Sequence, residues 1–148
     1  GYDAISLAKL GYSVHALDFS SEAINNMKKQ NVDNLKLILG DYFDLSEKFD
    51  SYFDYFLEYT FFCAINPERR YEYIKKAYDI LKPGGIFVGL LIPINKNIKD
   101  GGPPFGIVVK DTIKMFELFF KNIKIKKSKF SISQRACSEL FITMVKDV

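Results

Sequence analysis

Apolar residues along the chain switch repeatedly between the spacing of a helical face and short unbroken runs. Ala4, Leu7 and Ala8 share one helical face and Gly11 follows them, which predicts a helix over 3–10 closed by a left-handed glycine. A short apolar run predicts a strand over 13–17. Ser20 or Ser21 then caps a helix reaching about residue 30, with Glu22 in its first turn, where the helix dipole favours an anion. Further strands are predicted over 35–39 and 53–59.

Asn66, Pro67 and Glu68 supply a cap, a first-position proline and an early acid for the next helix. Its expected core face is Tyr71, Ile74, Tyr78 and Leu81, and Pro83-Gly84-Gly85 is expected to stop it. The continuous apolar run 86–92 has the character of a central parallel strand covered on both faces. A helix is expected near 111–120, then strands over 122–130 and 139–145 that pair as a hairpin at the sheet edge. The alternation of strand and helix makes this an α/β chain, with a doubly wound, mostly parallel sheet, right-handed crossovers and an antiparallel C-terminal hairpin.

Composition narrows this picture. With 148 residues, 48% of them hydrophobic, the chain has room for a single domain spanning 1–148. Fourteen Phe, nine Tyr and no Trp predict an aromatic and aliphatic interior. The net charge of +3 comes mostly from lysines between Lys121 and Lys129, where Lys124 and Lys126 alternate with Ile123 and Ile125. That is a strand with one wet face, and no nucleic-acid partner is expected. Cys63 and Cys137 are too few for a disulfide framework or a zinc site, which fits a reducing, cytoplasmic setting. The longest apolar run, 86–93, falls far short of a membrane span, so no membrane partner is expected. The single histidine, His15, lies in an apolar strand and reads as a packed, hydrogen-bonded core residue.

In a doubly wound sheet the ligand lies beyond the carboxyl ends of the strands, which selects Asp18, Asp41 and Tyr59. A carboxylate at Asp18 can accept both hydroxyls of a ribose. Gly1 stands seventeen positions before Asp18, directly ahead of a predicted helix, where the last glycine of a nucleotide loop falls; an ordinary turn glycine is the alternative. The rest of that loop, its strand and an N-terminal helix are expected upstream of Gly1. Phe19 and Tyr42 are candidates to flank an adenine ring by stacking, with core packing as the alternative for each. Tyr59 offers a ring face and a phenol oxygen to a cation.

The motifs together resemble the thiopurine S-methyltransferase family, and within it the thiol and halide methyltransferase branch. Gly-Tyr-Asp-Ala at 1–4, Leu-Asp-Phe-Ser at 17–20 and Gly-Asp-Tyr-Phe-Asp-Leu at 40–45 are similar to its glycine loop, ribose-binding strand end and adenine-side loop. The run from Glu58 through Tyr-Thr-Phe-Phe-Cys-Ala to Ile65, the Leu-Lys-Pro-Gly-Gly turn at 81–85 and Gly-Pro-Pro-Phe at 102–105 complete the resemblance. It implies a class I, Rossmann-like fold and S-adenosyl-L-methionine as cofactor. It also implies Gly1 in the glycine loop, Asp18 on the ribose, Asp41 and Tyr42 around adenine, and Tyr59 near the sulfonium. Phe62, Pro104 and Phe105 are implied on the substrate side. The sequence departs from the pattern at Glu58, where aspartate is usual, and at Gly106-Ile107-Val108.

The expected reaction is methyl transfer to a small nucleophile, whether a thiol, hydrosulfide, thiopurine-like compound or halide. No catalytic side chain and no metal are required, because such an acceptor is its own nucleophile and alignment supplies most of the rate. A monomer is expected. Two alternatives stay open at this point: a nicotinamide-dependent oxidoreductase, which shares the glycine, strand and ribose acid, and a non-catalytic binding domain of the same fold.

Overall fold

A computed structural model describes residues 1–129 and 131–147. The chain divides into two compact units, Gly1–Ser46 and Glu47–Val148. Each has its own sheet, one of two strands and one of four.

In the first unit, helix α1 (Tyr2–Lys9) precedes strand β1 (Val14–Asp18), helix α2 (Ser21–Lys28) and strand β2 (Leu35–Leu39). Gly11 closes α1 at φ +94°, the left-handed conformation that glycine adopts without a Cβ penalty. Ser20 is the cap of α2, its hydroxyl accepting from the Ala23 N–H at 3.2 Å. Strands β1 and β2 run parallel with Val14 opposite Leu35 and Asp18 opposite Leu39. Ala8, Ile24, Met27 and Tyr42 form the buried interior. His15 is half-buried rather than enclosed. Burial, and secondly the neighbouring Lys36, push its pKa below the ordinary value.

The second unit contains strand β3 (Phe53–Tyr59), helix α3 (Arg70–Ile80), strand β4 (Leu81–Leu91), helix α4 (Val109–Glu117), strand β5 (Phe120–Lys127) and strand β6 (Leu140–Lys146). The strand order is β3-β4-β6-β5, with β3 and β4 parallel and β6 antiparallel to both its neighbours. The C-terminal pair forms the antiparallel hairpin expected at the sheet edge, with β6 lying against β4 and β5 outermost. Ile123 and Ile125 are half-buried while Lys124 and Lys126 are exposed, the one wet face expected of β5. The predicted strand 122–130 begins earlier, at Phe120, and Phe130 lies outside the described residues. Phe87, Phe116 and Phe120 interlock at the centre, with centroids 5.5, 5.9 and 6.3 Å apart.

Two expectations for α3 are corrected. Its buried face is Arg70, Tyr73, Ile74, Ala77 and Ile80, whereas Tyr71 is 50% exposed. Tyr71 and Tyr78 flank this stripe and pack on Phe119 with ring centroids 5.3 and 5.8 Å away, Tyr71 exposed and Tyr78 half-buried, a position that amphipathic side chains tolerate. Nor does Pro83-Gly84-Gly85 stop the helix. Leu81 is already extended (φ −76°, ψ 142°) and pairs with Phe53, so the Pro-Gly-Gly turn is an irregularity within β4, where Gly84 has φ +76°. The end of α3 is capped from β6. Lys146 Nζ donates to the carbonyls of Tyr78, Asp79 and Leu81 at 2.8, 3.4 and 2.7 Å, satisfying acceptors that a helix terminus leaves open. Among the described residues no helix is long and apolar enough to cross a membrane.

Candidate functional site

At the carboxyl ends of β1 and β2, Asp18 Oδ1 accepts from the Ser20 N–H at 2.8 Å, and the Asp18 carbonyl accepts from the Gly40 N–H at 3.0 Å. These bonds fix the carboxylate while leaving Oδ2 without a partner among the described residues. Phe19, next to it, is 80% exposed. Asp41 caps the short turn Tyr42–Asp44 by accepting from the Phe43 N–H at 2.9 Å. Tyr42 is buried, edge-on to Phe43 at 5.4 Å. A Cβ at Gly1 would lie 2.4 Å from the sulfur of the flexible Met27 side chain, which would have to shift to admit it. An acceptor oxygen beside an exposed aromatic face fits a ribose carrying a planar base.

At the carboxyl end of β3 the chain turns sharply through Thr60, whose φ is +67°. Tyr59 is 44% exposed. Its hydroxyl bonds to Arg135 Nη1, and the same guanidinium lies over the ring, 5.5 Å from the centroid. Glu58, by contrast, points inward and is buried. Its Oε1 accepts from the Phe61 and Phe62 N–H groups at 2.8 and 2.9 Å, and its Oε2 accepts from the Tyr73 hydroxyl. Burial raises the Glu58 pKa, opposed by these three hydrogen bonds. Cys63 donates to the Thr60 carbonyl at 3.3 Å, and burial, then the nearby Glu58 charge, pushes its thiol pKa up. A thiol held protonated is a poor nucleophile.

A pocket of about 530 Å³ opens beside this turn. Its walls include Thr60, Cys63 and Ala64 after β3, Asn95 after β4, Pro104 in the following loop, and Arg135 before β6. The long loop is held at several points: Phe105 N–H donates to the Cys63 carbonyl at 2.7 Å, and Ile107 N–H to the Pro93 carbonyl at 2.9 Å. Arg70, on α3 and buried, donates to the Gly106 carbonyl at 3.1 Å and the Phe105 carbonyl at 3.4 Å.

Of the sequence-selected substrate residues, Pro104 lines the pocket. Phe105 anchors the loop instead, its ring occupying the space a Cβ on Gly102 would need, 2.5 Å from Cγ. Phe62 is 1% exposed and sits in the core behind the pocket, 5.4 Å from Tyr73 and 5.9 Å from Phe116. Sequence reading missed Arg135, Asn95 and Arg70. The first two lie in segments without helical or strand periodicity, and Arg70 carries a charge on what proves to be a buried helix face.

A family model described as thiopurine S-methyltransferase matches residues 1–143. The chain belongs to the thiopurine S-methyltransferase family. Curated relatives of this family member include a probable thiol methyltransferase 2 of Arabidopsis thaliana, 32% identical over 91% of the chain and 61% of the relative. Thiocyanate methyltransferase 1 of Brassica oleracea is 31% identical over 94% of the chain and 62% of the relative. The chain thus spans roughly three fifths of their length, 61% and 62%.

Among solved structures, a Burkholderia thailandensis 1,6-didemethyltoxoflavin-N1-methyltransferase matches with TM-score 0.78 and 14% identity, over 100% of the chain and 67% of its own. A possible histamine N-methyltransferase of Thermotoga maritima matches with TM-score 0.72 and 16% identity, over 95% and 76%. The family member accordingly has the class I, Rossmann-like methyltransferase fold.

Proposed function

We propose that the whole protein transfers a methyl group from S-adenosylmethionine to a small soft nucleophile, a thiol, hydrosulfide, thiopurine-like compound or halide. The observation that carries this reading is the pocket after β3 and β4. Its volume, about 530 Å³, suits a small molecule, and among the described residues Arg135 is the one charged side chain on its walls. Such a lining tolerates a neutral or anionic acceptor and offers no carboxylate to a cationic one.

Bound S-adenosylmethionine would supply an electrophilic methyl on a sulfonium sulfur. The remaining work falls to binding and orientation. Asp18 accepts ribose hydroxyls through its open carboxylate edge, and Phe19 offers a stacking face to the base. Asp41 accepts from the adenine amino group, and the buried Tyr42 backs that turn. Tyr59 contributes its ring to the cation, its hydroxyl being engaged by Arg135. Pro104 closes the acceptor pocket, with Phe105 and Phe62 supporting it from the loop and the core. Cys63, held as a thiol, leaves the acceptor as the nucleophile.

Membership in a methyltransferase family favours a sulfonium over a nicotinamide cofactor. The names of the plant relatives support thiols and small anions as acceptors. We further read residues 1–148 as one methyltransferase domain, acting as a monomer without nucleic acid in a reducing cytoplasm, where both free cysteines stay reduced. Calorimetric titration of the full-length protein with S-adenosylmethionine and with NADH tests the cofactor. Saturable binding of the first alone is expected, and binding of NADH alone would overturn it.

A further inference from the structure

We infer that Glu58 is a positioning residue that sets the shape of the acceptor pocket without touching the acceptor. The inference rests on the proposed small-nucleophile site. Glu58 is 3% exposed and is not part of the pocket wall. It stands opposite Gly89 of β4, where any Cβ would come within 2.7 Å of the Glu58 Cβ, so the neighbouring strand yields room for this side chain.

Each carboxylate oxygen has a defined task. Oε1 gathers the N–H groups of Phe61 and Phe62, closing the turn that the left-handed Thr60 begins. Oε2 receives the Tyr73 hydroxyl and so moors the turn to α3. Immediately beyond that turn, Cys63 and Ala64 line the pocket, and the Cys63 carbonyl accepts from Phe105 N–H at 2.7 Å, next to Pro104 on the facing wall. Hydrogen bonds from Tyr73 to Glu58, from the amides of Phe61 and Phe62 to Glu58, and from Phe105 N–H to the Cys63 carbonyl, joined by the main chain between them, therefore connect α3 to both walls. A residue without an acceptor at 58 would take away the carboxylate oxygen that the buried Phe62 amide and the part-buried Phe61 amide share, and the turn would be free to open toward water. Glutamine keeps an acceptor for both amides and a donor toward the Tyr73 oxygen. Alanine keeps neither.

The test uses full-length protein carrying Glu58→Ala, Glu58→Gln or Tyr73→Phe. Two readouts are taken: amide hydrogen exchange at Phe61 and Phe62, and kcat/KM for the acceptor beside the Kd of S-adenosylmethionine. For Glu58→Ala we expect exchange at both amides at least about tenfold faster, and kcat/KM for the acceptor lowered by a similar factor. The cofactor Kd should stay within about twofold, and Glu58→Gln should recover most of both losses. Unchanged exchange in Glu58→Ala, or a cofactor Kd raised as much as kcat/KM falls, overturns the inference. If Glu58→Ala does not fold, Tyr73→Phe decides: faster exchange at Phe61 and Phe62 supports it and unchanged exchange overturns it. Exchange does not depend on activity, so a wild-type protein that transfers no methyl group would defeat the proposed function and leave the positioning role to be judged separately.

Discussion

The backbone N–H of Gly40 donates to the carbonyl of Asp18 at 3.0 Å, tying the tip of β2 to the tip of β1. The main chain of Asp18 thereby holds the two strand ends together, which frees its side chain for other work. Among the described residues only Oδ1 is committed, to the Ser20 N–H.

Asp18→Ala should therefore leave the strand pairing intact and weaken S-adenosylmethionine binding by the loss of charge-assisted hydrogen bonds, about 1.5–3 kcal/mol. Calorimetry on the folded full-length variant checks it. An unchanged dissociation constant would remove Asp18 from the site.

Lys146 gives a stability prediction. It is 9% exposed, and its ammonium bonds three carbonyls at the end of α3 while lying 4.4 Å from the Tyr78 ring centroid. Lys146→Met keeps the aliphatic stem and removes the donors, so the variant should be destabilised by about 1–3 kcal/mol in urea unfolding. A midpoint equal to wild type would show that water replaces the cap without cost.

Glu58 links stability to pH. Its folded pKa is raised, so the folded state holds more protons than the unfolded state above the ordinary glutamate value of about 4.3. Stability contributed by this group is then lost as pH rises from that value through the raised folded pKa. Glu58→Gln removes the proton linkage, so its stability relative to wild type should improve between about pH 4 and about pH 7. Denaturant unfolding at the two pH values decides it, and a relative stability that worsens over the interval would reverse the sign assigned here.

Strands 35–39 and 53–59 were legible as short segments dominated by apolar and aromatic residues, broken only by Lys36 in the first and by Asp54 and Glu58 in the second, and they coincide with β2 and β3. The face of α3 was not. Tyrosine satisfies an apolar pattern and a wet surface alike, so Tyr71 and Tyr78 mimicked a core stripe that belongs to Tyr73, Ile74, Ala77 and Ile80. The positions of Asp18, Asp41 and Tyr59 at or just beyond the ends of β1, β2 and β3 could be read because the alternation of elements fixes where the strands of a parallel sheet end. Arg135 could not, since it meets Tyr59 across 76 positions from a segment with no periodicity. Phe62 looked like a pocket residue because it shares a motif with Tyr59, yet the turn at Thr60 sends it into the core.

The most direct test of the central claim is methyl transfer by full-length protein from labelled S-adenosylmethionine, offered in parallel to small thiols, hydrosulfide, iodide and a macromolecular extract. The pocket beside Cys63 and Pro104 predicts label in volatile or small-molecule products, saturating with acceptor concentration. Label found only in protein or RNA, with none in the small products, would contradict the account.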